Sequence, residues 1–497
     1  WRSTAAMWQR RASQLAHAVQ RAASVTEGRL GIFPGDWTGP RGNAVPSRAS
    51  DPYLNFPKCE ETLFTSPPGL INLDTGAPCA ELLSQGARAM YVGMQHWQQQ
   101  PRAFTSMQYG PTHGTAAFRR AVADFLNQRY NGAPVSPTAL VQTCGATHGL
   151  SLTLNTFFGR HATKMAFVED PCYFLAPSML HEQGFHVVPV PHHPCQPGRA
   201  TGLDVEALEA AVLAAKARGQ LHQSSNAEEF AAVVYVVPSH HNPTGAVMPE
   251  ESRRKLVRIA RELNLLVLSD DLYELLYFPS ERSSSRSDQP SPPARLVSLD
   301  FEEGGSGNVV SNNSFSKILG PGVRCGWIEA RSELVDRISG SATLASSGGS
   351  AQLTGALIAS AIEVGAADET LDLMTTTLAS RMAAIHTAFN AYAPPGCTLS
   401  QPSGGMCAWL QMPQHVDSHE VLLEARQLGV SFKPGDLFSS AKAVGRHAQT
   451  NSTRLRSCCR LVSAHYDAQT LQQGIQLLCN AIAKVSCRKK GGLGLSS

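Results

Sequence analysis

Neither sign of charge dominates this 497-residue sequence: Lys and Arg number 42, Asp and Glu 39, the formal net charge is +3, and the basic residues form no single long block. Nucleic acid and anionic membrane surfaces therefore have no electrostatic claim on it as partners. Long apolar runs are missing too. No stretch reaches the roughly 18 apolar residues that a membrane-crossing helix needs, so no transmembrane span is expected. The 12 cysteines include no CxxC pair and no His spacing of the zinc-binding kind, and the adjacent Cys458 and Cys459 cannot staple distant segments. Reduced thiols in a reducing compartment, and no metal, are expected. Acidic residues are absent before Glu27, while Arg2, Arg10, Arg11 and Arg21 stand among many Ala and Ser. That composition fits a mitochondrial or plastid transit peptide, and equally an amphipathic helix or a disordered tail. An organelle matrix, or otherwise the cytoplasm, is the matching location.

What remains is ordinary globular material, 42% hydrophobic and 16% charged, enough for two or three domains around a large core. Residues 28–70 are rich in Gly and Pro and read as an irregular arm. Apolar runs of strand type then recur at 140–143, 165–168, 186–190, 232–237, 265–268 and 309–310. Helical patterns stand between them, such as 205–217 and the face Phe118, Val122, Phe125 and Leu126. Such alternation predicts an α/β domain. Its span is 71–345, with 71–105 free to pack with the smaller domain that follows. Residues 219–229 are polar enough for a loop, and the Ser- and Pro-rich 279–294 segment cannot bury a core and reads as a disordered insertion. A smaller domain is expected over 346–487. It holds strand-like segments at 402–410 and 429–438 and a last helix with Leu471, Ile475, Leu478, Ile482 and Val485 at helical spacing. A basic, Gly-rich tail, 488–497, follows.

The most informative stretch is 309–328, VVSNNSFSKILGPGVRCGWI. A lone lysine is nearly always a solvated charge. Lys317 instead lies between two apolar runs, and a desolvated lysine becomes a nucleophilic amine able to form a Schiff base with an aldehyde cofactor. Ser314 and Arg324 beside it suit an anion. Elsewhere, GATHGL at 145–150 joins a strand to a helix N-terminus, a geometry that favours phosphate and presents Ala146 and Thr147. Tyr173 follows Glu169-Asp170-Pro171-Cys172 at a strand end. HNPTG at 241–245 aims Asn242 from a turn fixed by Pro and Gly. Asp270-Asp271-Leu272-Tyr273 ends another strand, where ligands of open parallel sheets sit. Asp271 is expected to cap a helix starting at Tyr273.

In this order, and with Arg460 before the last helix, the motifs resemble the fold-type I pyridoxal 5'-phosphate (PLP) enzymes of the class I/II aminotransferase family. The resemblance spans 71 to about 486 and points to the branch of 2-aminoadipate, aromatic and kynurenine aminotransferases. It implies a mostly parallel seven-stranded sheet between helices, plus a smaller α+β domain. It also implies PLP on Lys317, Asp270 paired with the pyridine nitrogen, Asn242 and Tyr273 on the phenolic oxygen, and Tyr173 stacked on the ring. Ala146, Thr147, Ser314 and Arg324 are implied phosphate ligands, joined by Tyr109 from the second subunit of a homodimer. Gly76 lies near the substrate carboxylate, and Arg460, chosen over Arg454 and Arg456 for its spacing, grips it as a planar fork. The implied reaction is ping-pong transfer of an amino group from an L-amino acid to a 2-oxo acid such as 2-oxoglutarate. A PLP lyase or aminocyclopropane-carboxylate-synthase-like enzyme uses the same constellation. An aminotransferase-like transcription regulator would need a winged helix-turn-helix, for which residues 1–70 are too short and too rich in Gly and Pro.

Overall fold

The computed structural model describes residues 67, 69–130, 133–159, 163–193, 202–222, 229–279, 292–304, 307–443 and 454–492. The leader and nearly all of the arm read in residues 1–70, most of the 219–229 loop and most of the 279–294 insertion lie outside them. Residues 64–497 form one compact unit.

Among the described residues thirteen strands follow in chain order: β1 (Ile71–Asn72), β2 (Leu140–Thr143), β3 (Met165–Asp170), β4 (His186–Pro191), β5 (Ala232–Val236), β6 (Leu265–Asp270), β7 (Val309–Ser314), β8 (Gly326–Ala330), β9 (Thr398–Leu399), β10 (Cys407–Gln411), β11 (Val430–Ser431), β12 (Lys433–Pro434) and β13 (Cys458–Val462). Seven of them make the main sheet in the order β2-β8-β7-β6-β5-β3-β4, and β8 alone runs against its neighbours. Helices Leu175–Glu182, Val205–Ala217, Glu250–Glu262 and Leu296–Glu303 make the crossovers between the parallel strands. Because helices cover both faces, the central strands are buried throughout and read as apolar runs. Side chains still alternate: Val233 and Tyr235 of β5 enter one core, Ala232, Val234 and Val236 the other.

β12, β13, β10 and β9 form an antiparallel sheet with its own core, where Leu410 and Leu461 meet Leu471 and Ile475 of the helix Ala468–Gly492. The division from the large core is not at residue 345, where the sequence reading put it. Helix Gln352–Glu363 buries Ile358, Ala359 and Ile362 in the large core. Helix Ala366–Tyr392 gives Leu371, Met374 and Leu378 to that core but Met382, Ile385 and Phe389 to the small one. The Ser- and Gly-rich break at 346–350 is only a turn between helices; the apolar faces that follow decide membership. β1 pairs with β11 and so belongs with the C-terminal part. The last helix also runs through 488–492, which the sequence reading gave to the tail, and Arg488 and Lys489 pair there with Glu424 and Glu420.

Candidate active site

The polar residues singled out in the sequence gather at the carboxyl ends of the main-sheet strands, the usual place for ligands in open α/β sheets. β7 ends at Ser314 and passes into a single turn, Phe315–Lys317. Phe315 is fully buried, with its ring 4.9 Å from Trp327 and 6.5 Å from Phe125, and this anchor fixes where the lysine leaves the chain. Lys317 Nζ donates to the Gly76 carbonyl at 3.3 Å and lies 5.9 Å from the centre of the Tyr273 ring. Burial pulls its ammonium below the ordinary lysine range.

Asp270 ends β6, the strand next to β7. Its Oδ2 accepts from the Tyr235 hydroxyl at 2.5 Å, while Oδ1 is buried with no hydrogen-bond partner. Burial lifts this carboxyl to about 7, although the Tyr235 bond and the Lys317 charge both pull it down. Asp271 does not cap a helix. Residues 272–275 form turns instead, and the buried Asp271 carboxylate accepts from Ser269 and Ser311, which hold it beneath the strand ends.

Beside Lys317, Gly145 at φ +92° opens the helix Ala146–Phe158, whose N-terminus carries no side-chain cap. Arg324, itself left-handed at φ 47°, reaches the same spot: its Nη2 donates to the Cys144 carbonyl at 3.3 Å. A Cβ at Gly145 would stand 3.0 Å from that nitrogen. Placing a guanidinium at the positive end of a helix dipole is repulsive unless an anion lies between them. Ala146 is half-buried and Thr147 exposed at this end, and Asn312, unremarked in the sequence, ties the Ala146 carbonyl to β7 at 2.9 Å. Ser314 departs from expectation. Its hydroxyl donates to the Cys325 carbonyl at 3.2 Å and accepts from the Ser316 amide at 3.1 Å, so it braces the lysine turn rather than reaching out to an anion.

Arg460, on β13, is buried, whereas Arg454 and Arg456 are exposed and Arg456 pairs with Asp417. The guanidinium of Arg460 stacks on Phe438 at 4.9 Å, donates from Nη1 to Asn242 Oδ1 at 2.9 Å, and forms an ion pair with Asp74. Its Nε bonds Asp74 Oδ1, and its Nη2 bonds the Asp74 carbonyl, each at 3.0 Å. Most of its five donors are thus engaged. Burial opposes its charge, but Asp74 more than offsets that. Asn242 Nδ2 in turn donates to the Tyr273 hydroxyl at 3.4 Å, and a Cβ on Gly76 would stand 3.9 Å from Arg460 Nη2. Lys433 completes the group. Its Nζ lies 3.2 Å from Asp74 Oδ2 and 4.1 Å from the centre of the Phe174 ring, whose edge meets Tyr173 at 5.3 Å and Phe438 at 5.9 Å.

Lys317, Asp270, Tyr273, Asn242, Tyr173, Gly76 and Arg460 thus share one neighbourhood, with Ala146, Thr147 and Arg324 beside it at the helix N-terminus. Tyr109 is apart from it: 79% exposed, it packs its Cβ near Gly348. Sequence reasoning missed Tyr235, Asp74, Lys433, Phe174 and Phe438. A polar Tyr235 inside the apolar run AVVYVV was a usable signal, since a buried tyrosine needs a partner for its hydroxyl.

A family model described as aminotransferase class I and II matches residues 68–476. The aromatic-amino-acid aminotransferase 1 of Thermococcus litoralis is 24% identical over 385 residues, covering 76% of this chain and 81% of that one. The 2-aminoadipate transaminase of Thermus thermophilus is 25% identical over 421 residues, covering 84% and 91%. Among solved structures, the kynurenine aminotransferase of Pyrococcus horikoshii shares the fold with a TM-score of 0.67 at 23% identity, covering 84% of this chain and 91% of that one.

Proposed function

The chain belongs to the class I and II aminotransferases, and we propose that it uses PLP, held covalently by Lys317, to move the amino group of a large L-amino acid to a 2-oxo acid such as 2-oxoglutarate. The observation that carries this reading is the buried, unpartnered Oδ1 of Asp270 next to a desolvated lysine. A buried carboxylate without a donor is costly, and a protonated ring nitrogen satisfies it. The uncapped helix facing Arg324 fits the cofactor's phosphate equally well. When bound, the cofactor supplies an aldehyde that takes up the amino group and a ring that accepts the electrons of the broken Cα–H bond.

The chain's own residues do the rest. Lys317, neutral more readily than an exposed lysine, would take the proton from Cα onto Nζ and give it back to the carbon on the other side of the amino nitrogen. Asp270, oriented by Tyr235, keeps a proton on the ring nitrogen. Asn242 and Tyr273, bonded to each other, would hold the phenolic oxygen, and Asn242 also steers Arg460. Arg460 fixes the α-carboxylate, with Asp74 leaving it for Lys433 as the substrate enters, an exchange of one carboxylate for another. Phe174 and Phe438 wall the side-chain end, with Lys433 among them, which suits an aromatic or acid-tipped donor such as 2-aminoadipate, while Tyr173, against Phe174, would stack on the cofactor ring. Tyr109 would reach the phosphate of a second copy in a homodimer, a reading supported by the exposure of Phe104, Met107 and Tyr109.

The test mixes the purified protein with a panel of L-amino acids and 2-oxoglutarate while cofactor absorbance and products are followed. Glutamate with the matching 2-oxo acid, and parallel-line kinetics, are expected. Ammonia released without any acceptor would transfer the assignment to a lyase.

A further inference from the structure

One residue before Asn242 the chain enters a second buried polar cluster that none of this chemistry uses. Three neighbouring parallel strands supply it: Glu169 from β3, His192 from the residue after β4, and His241 from the loop after β5. Their side chains are 1%, 9% and 0% exposed. Their ligand atoms all lie within 4.8 Å of one another. Glu169 Oε1 stands 3.3 Å from His192 Nε2, and Oε2 stands 3.4 Å from His241 Nε2. Yet Glu169 Oε1 and both Nε2 atoms have no hydrogen-bond partner. Charge-assisted hydrogen bonds between such groups close to about 2.7–2.9 Å, shorter than this spacing. It suits a shared ion: with bonds of about 2.0–2.1 Å, neighbouring ligands of a tetrahedral shell stand about 3.3–3.4 Å apart.

The surroundings hold these atoms in place. His241 Nδ1 is 2.9 Å from Thr244 Oγ1, and Glu169 Oε2, which stands beside His241, accepts from the Val237 amide at 2.7 Å, so the carboxylate is held between the two imidazoles. Outer contacts of this kind orient metal ligands. A second cluster, His193, Asp204 and Glu206, is more open, and its Glu206 already pairs with Lys255 at 2.6 Å.

We infer that Glu169, His192 and His241 form a binding site for one divalent transition-metal ion, Zn2+ by the chemistry of two imidazoles and a carboxylate, with water as fourth ligand. The ion takes no part in amino transfer. It pins the loop that carries Asn242 to the ends of β3 and β4, and so fixes the residue that steers Arg460.

Cofactor-loaded protein, stripped of metal by a chelator and freed of unbound cofactor, is titrated with zinc chloride against a chromophoric competitor, beside His192→Gln and, as a control, His193→Gln. One ion per chain is expected in the wild type and in His193→Gln, with affinity lowered at least about tenfold in His192→Gln. Zinc should raise Tm in the first two, and cofactor absorbance should be the same in all three. Cobalt loading of the wild type should give the spectrum of a tetrahedral centre, which decides the matter even where His192→Gln folds poorly. A wild type that takes up no zinc, uptake that survives His192→Gln, or uptake lost in His193→Gln overturns the inference.

Discussion

Replacing Asp270 with Asn tests the site at its most exposed physical assumption. The carboxyl is 8% exposed, holds the Tyr235 hydroxyl on one oxygen, and keeps the other for a positively charged partner. Asn preserves the volume and an acceptor for Tyr235 but removes the charge. A carboxylate about 3 Å from a protonated ring nitrogen, at an effective dielectric of about 20, contributes roughly 5 kcal/mol. Losing it should slow the amino-acid half-reaction by about 10³- to 10⁴-fold, read from single-turnover absorbance with the cofactor still bound. The cofactor-free protein should respond in the opposite sense. Burial raises this carboxyl from 3.8 to about 7, so the stability it permits is complete below the unfolded value and is lost as pH rises from about 4 to about 7. At about 1.4 kcal/mol per pH step, the cofactor-free wild type at pH 8 gives up on the order of 4 kcal/mol, which the neutral Asn does not. The variant stripped of cofactor should therefore melt higher than the stripped wild type at pH 8, and the gap should shrink by pH 5. A near-normal half-reaction, or melting curves whose difference ignores pH, would refute the reasoning.

Borohydride reduction and peptide mapping should place the cofactor on Lys317, and Lys317→Ala should lower the half-reaction at least about 10³-fold; a label on another lysine contradicts the assignment. Asp74→Asn should free Arg460 for the substrate, lowering KM for the amino donor by roughly tenfold with kcat little changed, at a cost in Tm because the buried Arg460 loses the half-buried carboxylate it pairs with. A raised KM would mean that Asp74 positions Arg460 instead of competing for it. Sedimentation should show a homodimer, and Tyr109→Phe should weaken cofactor binding about tenfold or more without changing the oligomer. An active monomer would remove Tyr109 from the site.

Strand and helix order was legible because each central strand is an apolar run bounded by polar motif residues, and buried parallel strands have little other way to be written. Lys317, Asp270 and Asn242 could be found because each lies within seven residues after such a run, so local order carries spatial meaning. Asp74 and Lys433 could not, since their meeting depends on the pairing of β1 with β11 across most of the chain. Glu169, His192 and His241 were hidden for the same reason: no short spacing links them, only the adjacency of β4, β3 and β5. The misreading of Asp271 had a different source. An acidic residue before a turn looks the same in sequence whether it caps a helix or is buried under Ser269 and Ser311.

The passage of helix Ala366–Tyr392 from one core to the other has an evolutionary consequence. Lys317, Asp270 and the helix that faces Arg324 rest on the large core, whereas Arg460 and Lys433 rest on the small one around Leu410 and Leu461. Inherited changes in the small core can therefore shift which amino acids are accepted while leaving the retention of the cofactor untouched.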